Sequence, residues 1–207
     1  MNQTETELPL PNRERILKAA IELFSQRGYA AVTMREIAAQ VNIKAASIYN
    51  HYSGKEALLD EIVERFRVGL HNEVYPRFDS GGSLDIHQFI QNVIASNEQF
   101  FANPEMAQIS SIILREQFTN ANVRRMLLDE LIIGPRNAFI KFFSQLITDG
   151  KMITTDPEFA AREFHAFYIY RFYENSLSID GPSPDISKIK QHDDEHIRNF
   201  MKCFIPK

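Results

Sequence analysis

The chain has 207 residues, 44% hydrophobic and 24% charged, an ordinary globular composition long enough for one large or two small domains. A net charge of −4 argues against a protein that coats nucleic acid along its whole length, and no run of 18 apolar residues offers a membrane-spanning helix. The start, Met1–Glu7, is polar and acidic and reads as no secretory signal; Cys203 is the single cysteine, so no intrachain disulfide forms and a cytoplasmic setting is expected.

The first apolar stripe is Ile16, Ala19, Ala20, Leu23 and Phe24, at helical spacing, with Gly28 placed to end the helix. A second stripe, Met34, Ile37, Ala38 and Val41, follows Thr33, which forms a capping box with Glu36. Asn42 comes next and tolerates the left-handed backbone of a sharp reversal. Ile43 and Ile48 then point back at the preceding helix, leaving Lys44, Ala45, Ser47, Asn50 and His51 outward. Two short helices joined by a tight turn, the second with a small polar outer face, have the form of a helix-turn-helix that reads the DNA major groove. Ser53 and Glu56 are expected to form a second capping box, with Lys55 in the first turn of the next helix.

That helix carries Leu58, Leu59, Ile62, Val63, Phe66 and Leu70 and runs to about Pro76. The segment 79–83 reads as a loop, with Ser83 capping a helix to about Ala102. Asn103-Pro104 and Asp156-Pro157 each pair a cap with a proline at the first helical position. A helix over about 122–149 is expected to kink or break at Gly134-Pro135 and to end at Gly150. The helix after Pro157 is apolar nearly all round, which predicts burial on several sides. After a rigid turn at 181–184, a last helix spans about 185–204, its apolar stripe broken at His192-Asp193-Asp194; Cys203 reads as a small core side chain.

Residues 13–59 resemble the DNA-binding domain of the tetracycline-repressor (TetR) family. The resemblance is carried by Ile16-Leu17, Ala19-Ala20 and Leu23-Phe24, then Arg27-Gly28-Tyr29 and Thr33-Met34-Arg35-Glu36-Ile37-Ala38. It continues with Ser47-Ile48-Tyr49, His51-Tyr52 and Ser53-Gly54-Lys55-Glu56-Ala57-Leu58-Leu59. Asn42-Ile43-Lys44 stands where the family has Gly-Val-Ser, which removes a serine cap, and Ala46 replaces a common glycine. The resemblance implies an all-α protein with an N-terminal helix-turn-helix domain (12–59) and a C-terminal helical ligand-binding and dimerisation domain (60–207). It also implies a double-stranded DNA operator, a homodimer and a small-molecule effector. The expected DNA-binding residues are Thr33, Arg35, Lys44, Ala45, Ala46, Ser47, Tyr49, Asn50, His51 and Lys55.

Charge is divided in the same way. Residues 12–56 hold seven basic and four acidic side chains, +3, and residues 57–207 hold 16 basic and 21 acidic, −5. A weakly basic head on an acidic body suits local phosphate binding. The body is rich in rings, and Phe118, Phe142, Phe164, Tyr168 and Arg171 are the candidate lining of an apolar or aromatic effector site. No cofactor is expected: no phosphate loop, dinucleotide fingerprint or nucleophile elbow is present, and the spacing of His192 and His196 fits a solvated face better than a metal site. The competing reading is an all-α enzyme or small-molecule carrier with an incidental helix-turn-helix.

Overall fold

The computed structural model describes residues 11–76, 86–177 and 186–206. All the described elements are helical: α1 (Asn12–Arg27), α2 (Met34–Gln40), α3 (Ala45–Ile48), α4 (Lys55–Gly69), α5 (Ile86–Ala102), α6 (Pro104–Glu116), α7 (Ala121–Leu127), α8 (Gly134–Thr148), α9 (Pro157–Leu177) and α10 (Ile186–Phe204). The expected loop at 79–83, the Ser83 cap and the 181–184 turn lie outside the described residues.

Helix boundaries follow local chemistry. The Thr33 side chain accepts from Glu36 N–H at 3.3 Å while Thr33 N–H donates to Glu36 Oε2 at 2.8 Å, completing the capping box at α2. Asn103 Oδ1 accepts from two N–H groups of α6, Asn120 does the same for α7, and Asp156 Oδ1 accepts from Glu158 N–H at 2.9 Å. The second capping box does not form. Gly54 takes the N-cap position of α4 with no side-chain bond, so Ser53 lies one residue too early to cap it.

Two helical paths widen into π turns. Leu70–Val74 continues α4, and Leu128–Ile133 joins α7 to α8. The kink expected at Gly134-Pro135 is thus a wide turn that delivers the proline to the start of α8, where its missing N–H matters least. The two π turns meet: Tyr75 Oη donates to Glu130 Oε2 at 2.8 Å, and His71 Nε2 lies 3.0 Å from the same carboxylate. Gly69 sits beside Phe100, where a Cβ would lie 2.7 Å from the ring.

The interior forms two apolar clusters. The first joins the head (Ile16, Leu17, Phe24, Ile37, Ile48) to α4 and to α6 and α7 through Ile109, Ile112, Ile113 and Val123. It therefore runs continuously across the expected division at 59/60. The second holds Phe89, Ile90 and Val93 of α5 with Phe139, Phe143, Phe164, Ile197 and Phe200. Along α9, Ala160, Ala161, Phe164 and His165 are buried, while Phe159, Tyr170 and Tyr173 are exposed in the single chain. Cys203, expected in the core, is exposed: it follows Lys202 on the open side of α10, while Met201 and Phe204 pack on the second cluster. No helix among the described residues is long and apolar enough to cross a membrane.

Candidate nucleic-acid interface and the interior of the body

The reversal between α2 and α3 is made by Asn42, whose φ of 58° is the one positive value at a non-glycine residue among those described. Ile43 N–H then bonds Ala38 O at 3.0 Å, and fully buried Ile48 pins α3 against the head core. Lys44 occupies the N-cap of α3 without a side-chain bond, as loss of a serine there predicts. The helical part of α3 is a single turn; it continues as tight turns through Asn50 N–H to Ser47 O (3.2 Å) and His51 N–H to Ile48 O (3.0 Å). Lys44, Ala45, Ala46, Tyr49 and Asn50 are exposed along this stretch, and Ser47 and His51 are half-buried. The result is a narrow ridge of small and polar groups, which is what close approach to base edges requires.

Several cations counted toward DNA binding are spent on holding this ridge. Arg15 donates to Val41 O at 2.7 Å, satisfying a carbonyl where α2 ends. Arg13 donates to His51 O at 2.9 Å, pairs with Glu61 and lies over the Tyr52 ring. Arg27 pairs with Glu36 at 2.7 Å. Hydrogen bonds from Thr33 and then Arg27 hold the Glu36 carboxyl down at about 2, so the cap stays ionised. Lys55 Nζ donates to Tyr29 O (2.8 Å) and Ala30 O (3.3 Å) above the Tyr29 ring. Of the expected contacts, Arg35 and Lys44 are the exposed cations with no ion pair among the described residues. Counting charges in the sequence missed the scaffolding arginines, because their partners are backbone carbonyls and carboxylates that only the fold brings to them.

In the body, Phe142 packs on Phe89 with ring centroids 3.9 Å apart, and Phe164 meets Phe139, Phe143, Phe200 and Tyr168. Arg171 is held inside the fold by the buried Asp193, with Glu98 4.0 Å away and the Tyr168 ring beneath it. The break in the α10 stripe at Asp193 is thus filled by an ion pair joining α9 to α10. Burial raises the Asp193 carboxyl above its ordinary range, against the pull of Arg171. Phe118 stands apart, 80% exposed beyond the end of α6 and in neither apolar cluster. His196 stacks on Phe167, and its Nε2 lies 3.0 Å from Phe164 O, which turns it away from His192 at the surface.

The profile of bacterial regulatory proteins of the tetR family matches residues 16–62, and that of the AefR-like transcriptional repressor C-terminal domain matches residues 90–205. An uncharacterised HTH-type transcriptional regulator of Bacillus subtilis, YhgD, is 25% identical over 81% of this chain and 85% of its own length. The transcriptional repressor KstR2 of Rhodococcus jostii is 27% identical over 62% of this chain and 65% of its own. Among solved structures, SmeT, the repressor of a multidrug efflux pump of Stenotrophomonas maltophilia, superposes with a TM-score of 0.70 at 18% identity, covering 95% of this chain and 92% of SmeT. A helix-turn-helix head and a helical body, each matched by the corresponding profile, make this chain a transcriptional regulator of the TetR family.

Proposed function

We propose that the protein binds a palindromic DNA operator as a homodimer, acts as a repressor and releases DNA when a small effector enters the body. The observation that carries this reading is the ridge from Lys44 to Asn50, flanked by carbonyl-bound arginines, with Lys44, Ala45, Ala46, Tyr49 and Asn50 exposed and Ser47 half-exposed. Ala45, Ala46, Ser47 and Asn50 are proposed to meet base edges, with Thr33, Arg35, Lys44, Tyr49, His51 and Lys55 toward the phosphates. The division into a 12–59 head and a 60–207 body is proposed as a functional one, since the packed core crosses it.

Dimerisation is proposed through the outer faces of α9 and α10. Tyr170 and Tyr173 are exposed on α9, and Tyr173 Oη donates to Gln117 beside the exposed Phe118. A run of exposed rings of this kind is costly on a solitary chain and suits a second copy. The effector site is proposed among Phe142, Phe164 and Tyr168, bounded by Arg171, with Phe118 assigned to the contact between copies. SmeT has been solved with triclosan, an aromatic ligand in a protein of the same fold. The test is fluorescence anisotropy of the full chain on the promoter DNA of its own coding region, repeated with an aromatic ligand found by thermal shift. Specific binding that weakens at ligand saturation supports the reading; steady turnover of a ligand without DNA binding favours the enzyme alternative.

A further inference from the structure

The apolar interior of the body changes cluster at polar residues on three helices. Along α5, Phe89, Ile90 and Val93 belong to the second cluster and Phe100 to the first, with buried Ser96 between them. Along the α7–α8 path, Leu131 packs on the first cluster and Phe139 belongs to the second; Arg136 lies between. Along α9, Phe164 belongs to the second cluster, whereas Phe172 meets Phe101 of the first at 5.4 Å; His165 falls within this span. His165 is 5% exposed, and its ring lies 5.8 Å from Phe139.

Three atoms of this seam are buried without a hydrogen-bond partner among the described residues, Arg136 Nε, His165 Nδ1 and Tyr168 Oη, and the first two belong to nitrogen groups. Arg136 has no ion pair among them either. A half-buried guanidinium with no counter-ion on α8, and on α9 a buried imidazole nitrogen with no partner whose ring lies 5.8 Å from Phe139 of α8, cost stability and suit a negatively charged guest. Nε–H is an obligatory donor, and Nδ1 of a neutral imidazole donates in one tautomer. Burial, with the Arg136 charge second, holds His165 down at about 4, so it is neutral near pH 7. The pair therefore offers one positive charge and an additional donor, which matches a planar monoanion better than a phosphate dianion. Phe139, one turn along α8 from Arg136 and next to the His165 ring, with Phe89 and Phe142 packed behind it, supplies apolar surroundings.

We propose that Arg136 and His165 anchor a carboxylate, and that the effector is an organic acid with an apolar or aromatic body. This rests on the effector response proposed above and names the ligand class of that site. The probes are decanoate, benzoate and 4-phenylbutyrate with their primary amides, titrated into the full chain by calorimetry and thermal shift. At least one acid is expected to bind and raise Tm, with its amide weaker by tenfold or more. Arg136→Gln should abolish the acid's effect, and His165→Asn should weaken it severalfold. Unliganded Arg136→Gln should melt at the wild-type temperature or above, because it loses an uncompensated charge; a structural role would lower Tm. Binding of acid and amide alike, no binding by any acid, or an Arg136→Gln chain that melts lower or fails to fold overturns the proposal. If an acid binds through Arg136 yet leaves DNA affinity unchanged at saturation, the anion site stands and the effector response is what fails.

Discussion

Asn42 carries the whole reversal of the helix-turn-helix on one backbone conformation. A left-handed φ costs an ordinary side chain about 1–2 kcal/mol, and asparagine reduces that by local hydrogen bonding. Asn42→Ala should therefore lower head stability by about 1 kcal/mol, while Asn42→Gly stays within a few tenths, read by chemical denaturation. This residue was legible in the sequence because its requirement is local. Lys55 was legible only in part. Its place at the start of α4 follows from the pattern, but two of its three donors are taken by Tyr29 O and Ala30 O, residues 26 and 25 positions away. One donor is left for a phosphate. Lys55→Ala should thus do two things: loosen the α1–α2 connection, seen as a lower Tm, and reduce the salt slope of DNA binding by about one. An unchanged slope on both specific and random DNA removes Lys55 from the phosphate contacts while leaving its structural role.

Helix ends at Thr33, Asn103 and Asp156 could be read in advance, because capping is settled within three residues of sequence. The π turns could not. Neither carries a local sequence signal, and the contact that joins them, between Tyr75 and Glu130, is set by the tertiary fold. Gly69, at the head of the first π turn, likewise reads as an ordinary weak point in a helix until Phe100 is placed against it. A methyl there would sit 2.7 Å from a fully buried ring that packs edge-on against Phe66 and Phe101. Helix propensity favours Gly69→Ala by about 1 kcal/mol, but overpacking of this kind costs about 1–3 kcal/mol. Net destabilisation is expected, together with altered DNA affinity as α4 shifts; a variant more stable than wild type would show that Phe100 yields readily.

At the scale of the molecule, the sequence divides head from body by charge, yet the packed structure binds them together. Arg65 of α4 bridges Glu14 of α1 and Glu105 of α6, and Arg115 of α6 donates to Ser25 O at 2.8 Å. The α6 helix is therefore a second strut beside α4, bonded to α1 as well as to α4. None of this was visible in one-dimensional periodicity, which shows that a face is apolar but not what covers it; the same gap separates Phe164, deep in the core, from Phe118 at the surface. Two such heads in a dimer must present their α3 ridges about 34–36 Å apart, or a multiple of that, to reach successive major grooves. The most direct measurement is selection of the full chain against randomised duplex DNA, with Ser47→Ala and Asn50→Ala in parallel. The expected product is an inverted repeat with half-sites one helical turn or a multiple apart. In each variant the preference should change at particular positions, by about 1–3 kcal/mol per lost contact. No enriched motif, a lone half-site, or variants that select the wild-type motif with uniformly weaker binding would contradict the account.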